Sequence, residues 1–141
     1  MKYICDAPGG RTWFRIETEA EALSESQAMN HAVEKHFREA WARAAASFVP
    51  ASARYIEQGI GLGAHIQREM PLFLTLRDNE GKALATAMLP PRGQADPGFR
   101  TIVVGPSNGD PYPEQGDAIQ ALADRFGVAL DRARCYPYRR G

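Results

Sequence analysis

His65 follows the glycine-rich stretch Gly59-Ile60-Gly61-Leu62-Gly63 and precedes Gln67 and Glu69. An imidazole so placed can act as a general base if it faces a cleft, which makes His65 the catalytic candidate of this chain. The glycines themselves do not spell a phosphate cradle. A Walker loop needs Lys and then Ser or Thr after its last glycine, and here Ala64 and His65 follow Gly63. A dinucleotide fingerprint needs a helix after the glycines. The residues through Ile66 read as a strand, so the stretch is expected to be a bulge or turn. His31 and His36 lie five residues apart on an expected helix, about 140° from one another. They cannot share a metal, and both read as helix-surface residues, with His31 on the polar side.

Cys5 and Cys135 sit near opposite ends of the chain. Two cysteines and three histidines, scattered as they are, do not supply a zinc ligand set. Both cysteines are expected to be structural thiols. No G-x-S-x-G elbow, H-E-x-x-H or C-x-x-C occurs. Neither a cofactor nor a metal is expected, and the sequence weighs against an enzyme.

Two surfaces carry residue types suited to macromolecular contact. In Gly105–Gly116, Asp110, Glu114 and Asp117 surround Tyr112, which is flanked by Pro111 and Pro113. Three carboxylates can hold a divalent cation, but this spacing is not that of an EF-hand. Acidic groups also favour the first turn of a helix. A stiffly held tyrosine is a good anchor for a partner. The C-terminal segment alternates Arg132, Arg134, Arg139 and Arg140 with Tyr136 and Tyr138. Such a pattern suits an acidic protein, a solvated edge strand or single-stranded nucleic acid.

These residues need elements to hold them. Lys2–Asp6 and Arg11–Thr18 read as strands around the turn Ala7-Pro8-Gly9-Gly10. Ser24 and Gln27 form a capping-box pattern. Met29, Val33, Phe37, Trp41, Ala44 and Phe48 then recur at helical spacing. This predicts one long amphipathic helix over about 25–48, ending before Pro50. Ala53–Gln58 reads as extended. Leu72–Arg77 and Lys82–Leu89 form a hairpin around Asp78-Asn79-Glu80-Gly81, and Arg100–Val104 is a further strand. A shorter second helix is predicted over about 114–126 and stops at Gly127. Ala133–Tyr138 reads as a last strand.

Hairpins dominate and βαβ units are absent, so the expected class is α+β. It comprises a mostly antiparallel sheet with the long helix packed on one face, in a single domain over 1–141. The 17 basic and 17 acidic residues leave no net charge, which disfavours a duplex nucleic-acid binder. No apolar run reaches the roughly 20 residues of a membrane span, nor does the N-terminal decapeptide carry a signal-peptide core. A cytoplasmic location is the expectation.

The leading functional expectation is a small non-enzymatic protein-binding module: an inhibitor, regulator or accessory subunit. Its partner would be another protein, or a second copy in a homodimer. The contact residues would be Asp110, Tyr112, Glu114, Asp117, Arg134, Tyr136, Tyr138 and Arg139. One alternative is a small-molecule-binding protein or hydrolase, with a cleft between helix and sheet and His65 as base. Another is single-stranded nucleic-acid binding through the C-terminal Arg/Tyr segment.

Overall fold

A computed structural model describes residues 1–48, 61–132 and 135. Five strands run in chain order: β1 (Lys2–Ala7), β2 (Arg11–Arg15), β3 (Leu72–Arg77), β4 (Ala83–Leu89) and β5 (Ile102–Val104). They form one sheet in the order β1-β2-β3-β4-β5, every neighbouring pair antiparallel. Four α-helices are described: α1 (Glu19–Met29), α2 (Val33–Ala46), α3 (Leu62–Glu69) and α4 (Tyr112–Phe126). The α+β class and its hairpin construction are as expected. Among the described residues, no helix is long and apolar enough to cross a membrane.

The sheet is covered on both faces because its strands alternate. Leu72, Leu74 and Leu76 pack with Trp13, Leu89, Val103 and the Ala118, Ile119, Leu122 and Ala123 stripe of α4. Phe73 points the other way, into a second cluster. It meets Ile16, Ala22 of α1, Val33, Phe37, Ala40 and Ala44 of α2, and Ile66 of α3. Residues one apart on a strand face opposite sides, so β3 alone serves both cores. Trp13 is fully buried, and its indole N–H donates to the Ala118 carbonyl at 2.8 Å. This bond fixes α4 across the sheet.

The single helix expected over about 25–48 is instead two helices. The first begins earlier, at a capping box made by Thr18 and Glu21 rather than Ser24 and Gln27. It ends at Asn30, which adopts the left-handed conformation with φ 51°. Asparagine tolerates that region where most side chains do not. The hydroxyl of Ser26 then accepts a hydrogen bond from the Glu34 N–H at 2.9 Å, capping the first turn of α2 from the preceding helix. Met29 and Val33 are four apart and both buried, so the apolar spacing runs through the break without revealing it.

Other boundaries differ as well, among them β5, which begins at Ile102 rather than Arg100. β2 stops at Arg15, because Thr18 is committed to the cap of α1. The stretch expected as strand through Ile66 is helix α3, with Gly61 at its N-cap and His65 and Ile66 buried. Pro71 lies just beyond this helix, the position at which proline follows a helix end. α4 starts at Tyr112, and Gly127 closes it in the left-handed region as expected. The extended reading of Ala53–Gln58 lies outside the described residues. So does that of Ala133–Tyr138, apart from Cys135.

Candidate ligand-binding site

Glu25, on α1, is a fully buried carboxylate, 0% exposed. It lies over the cross-strand pair Thr75 and Thr86. Opposed residues on adjacent strands place their Cβ atoms about 5 Å apart, close enough for one carboxylate to meet both hydroxyls. Thr75 donates to Glu25 Oε1 at 2.9 Å and Thr86 donates to Oε2 at 2.5 Å. Arg77 donates to Oε1 at 2.8 Å, and its own Nε donates to the Thr75 hydroxyl at 3.0 Å. A buried carboxylate is tolerable only when paired and hydrogen-bonded in this way.

The chain of bonds continues to His31, whose Nε2 lies 2.9 Å from the Thr86 hydroxyl. A carboxylate paired with a guanidinium accepts and does not donate. The single Thr86 proton is therefore directed at Glu25, and Thr86 must accept from His31. The network thus assigns the proton to Nε2 and leaves a bare lone pair on Nδ1. Nδ1 is buried and has no hydrogen-bond partner. Burial lowers the His31 pKa from the ordinary histidine value, Glu25 and the residue's own backbone pull it upward, and neighbouring His36 adds to the lowering. The net shift favours the neutral ring, held at one edge by Thr86.

The break between α1 and α2 puts His31 there. Asn30 turns the chain, and its side-chain amide donates to the Ser107 hydroxyl at 2.9 Å, tying the break to the turn after β5. Beyond the break the sheet face over β4 and β5 is left partly open, and a pocket of about 130 Å³ lies there. Its floor follows from register. Phe73, Met88 and Ile102 are successive cross-strand partners, as are Thr86 and Val104. His31, His36 and Asn108 stand around it. A wider depression of about 500 Å³ beside Phe99 and Leu130 has Asp96 as its one charged lining residue. It carries no polar network of this kind.

The described residues of the catalytic and partner-binding candidates lie elsewhere. His65 is buried on α3, with Nε2 at 2.8 Å from the Ser47 hydroxyl and its ring against Phe48. It does not line the pocket. Tyr112 donates to the Leu130 carbonyl, and Arg132 lies over its ring, 5.3 Å from the centroid. Arg132 also pairs with Asp110 at 2.8 Å. The acidic loop and the start of the basic C-terminal segment thus meet within one chain. Asp117 pairs with Arg11 at 2.8 Å, and this bond holds its pKa below the usual carboxylate value. Glu114 is exposed in the first turn of α4. Arg134, Tyr136, Tyr138 and Arg139 lie outside the described residues. Among the described residues, no group of three or more His, Cys, Asp or Glu gathers where it could hold a metal.

Sequence reasoning passed over Glu25, Thr75 and Thr86, and it read His31 as a surface residue on the polar side of a helix, whereas His31 is half-buried in the break between α1 and α2. The sequence did hold a signal for the first three. Glu25 shares a helical stripe with Ala22 and Met29, and the threonines interrupt otherwise apolar strands. His31 gave none, since its burial depends on a break that the apolar periodicity conceals. No protein-family model, curated protein or solved structure matches the chain.

Proposed function

We propose that this protein is a small-molecule-binding domain whose ligand occupies the pocket between the α1–α2 break and the β3–β5 face. One observation carries the reading. A continuous hydrogen-bonded chain, Arg77–Glu25–Thr86–His31, ends on an imidazole at the wall of a pocket with an otherwise largely apolar floor. An apolar cavity with a few fixed polar groups is the usual form of a small-molecule site. Buried ionic groups contribute little to stability compared with well-packed apolar residues. A network placed here is better explained by the ring it orients than by folding alone.

The alternative of a protein-binding surface at Asp110, Tyr112 and Asp117 has less support. Each of these side chains already directs polar atoms into contacts within the chain. The pocket reading is tested by an amide chemical-shift screen against small organic fragments, run on the wild type and on Ile102→Trp. Ile102 lines the pocket and is half-buried near one sheet edge, so an indole there fills the site. Saturable shifts at Val33, Thr86 and Ile102 in the wild type, lost in a folded Ile102→Trp, are expected. A screen in which no fragment moves these amides overturns the proposal.

A further inference from the structure

We propose that the ligand is a small neutral hydroxyl compound, an alcohol or phenol on a compact hydrocarbon body, which donates its proton to Nδ1 of His31. This rests on the pocket reading above and narrows it to one chemical class. Three observations bear on it: a bare acceptor in the wall, the charge balance around it, and the size and character of the floor.

The acceptor follows from the network. Thr86 gives its one proton to Glu25 and accepts from Nε2 of His31, so the Nδ1 lone pair is left over. Nδ1 is buried and has no hydrogen-bond partner among the described residues, and His31 belongs to the pocket wall. A buried acceptor left unpaired costs the full desolvation of that atom. A donor delivered from the pocket recovers that cost. Nδ1 is closed to solvent, so a hydroxyl reaches it with a small shift of the wall, of the side-chain kind that is common on binding.

Charged ligands are disfavoured in both signs. A carboxylate has no proton to give at neutral pH and would face the Nδ1 lone pair. At the mouth, Glu39 lies 4.0 Å from the His36 ring, and Ser26 already accepts from the first turn of α2. Neither feature offers an anion a bare positive group. An ammonium could donate to Nδ1, but among the described residues no carboxylate lines the pocket. Both oxygens of Glu25 already accept from Thr75, Arg77 and Thr86. Burying the ammonium charge against a neutral ring is costly. A hydroxyl donates without bringing a charge with it.

The cavity of about 130 Å³ is close to the roughly 150 Å³ that accommodates a benzene ring in an apolar protein cavity. A single ring or a short branched chain fills it. Phe73 is buried, while Met88 and Ile102 are half-buried. The hydrocarbon body rests on these three side chains.

The test is a chemical-shift titration at neutral pH, read on the backbone amides and the histidine rings, with phenol, toluene, benzylamine and benzoate. Phenol and toluene have nearly the same shape. Toluene is the more apolar and wins in a site that offers hydrocarbon contact alone. Phenol is expected to shift Val33, Thr86 and Ile102 saturably and to move the ¹⁵N resonance of His31 Nδ1 upfield as its lone pair accepts. It should bind about tenfold more tightly than toluene, the order of one buried hydrogen bond. Benzylamine and benzoate should both bind more weakly than phenol. Toluene binding as tightly as phenol, or phenol binding that leaves the Nδ1 resonance unmoved, would overturn the hydroxyl inference while leaving the pocket reading intact. So would either charged probe binding more tightly than phenol. If none of the probes moves the pocket amides, both the inference and the pocket reading fail.

Discussion

Glu25 and Thr86, 61 residues apart in sequence, are joined by a 2.5 Å hydrogen bond inside the protein, with the hydroxyl donating. This contact fixes α1 to β4. It also decides the protonation pattern of the histidine beyond it. The direction of one threonine proton thereby links a buried ion pair to the wall of a pocket.

Removing the carboxylate should therefore be costly. Glu25→Ala strands Arg77 and both threonine hydroxyls, and breaking a buried pair in this way costs about 3–5 kcal/mol. Glu25→Gln keeps the shape and one acceptor and should lose less. Urea unfolding of the two variants checks the ranking. Equal loss in both would mean that packing, rather than the charged network, dominates at this position.

The His31 ring gives a signed pH effect. Its folded pKa lies below the unfolded value of about 6.5. The folded state then binds fewer protons there than the unfolded state. The stability this contributes is present above the unfolded pKa and is lost as the pH falls through about 6.5 toward the folded value. Glu25 on α1, Arg77 on β3 and His36 on α2 are the charged or titratable neighbours. His31→Gln retains an N–H donor for Thr86 without titrating. The stability advantage of the wild type over this variant should shrink between about pH 7.5 and pH 5.5. A constant difference across that range would contradict the account.

The break at Asn30 makes a third expectation. A β-branched residue in the left-handed region costs about 1–2 kcal/mol, so Asn30→Val should destabilise by at least that amount. Asn30→Gly keeps the backbone and gives up the Ser107 bond, which is worth about 1 kcal/mol. Thermal unfolding ranks the two. If valine is as well tolerated as glycine, the left-handed turn is not what separates α1 from α2.

Both thiols should be sluggish. Burial raises the pKa of Cys135, and the nearby Tyr112 hydroxyl opposes that rise. Burial also raises Cys5, with Arg125 opposing. Less thiolate means slower alkylation at pH 8. Cys135 is buried and Cys5 half-buried, so Cys135 should react last and speed up in urea. Rapid native labelling of Cys135 would be inconsistent with this placement.

Local signals made much of the fold readable. The runs Leu72–Arg77 and Lys82–Leu89, joined by a loop with Gly81 at its end, gave the central hairpin its place. Gly127 marked the end of α4. The α1–α2 break was hidden because Asn30 costs little in the left-handed region and Met29 and Val33 preserve helical spacing across it. α3 was misread because Gly61 and Gly63 are poor helix formers, yet one serves as its N-cap. The candidate site was least legible. Its members come from α1, the break, β3 and β4, and only sheet register brings Thr75 opposite Thr86 beneath Glu25. Tyr112 was noticed for its prolines, but a sequence does not show that its hydroxyl reaches Leu130.

The most direct test of the Arg77–Glu25–Thr86–His31 chain is a long-range ¹H–¹⁵N spectrum of the histidine rings at pH 7.5. The protein is predicted to show His31 neutral, protonated on Nε2, with Nδ1 bare. His31 protonated on Nδ1 alone, or carrying both protons at that pH, would contradict the network and the pocket reading built on it.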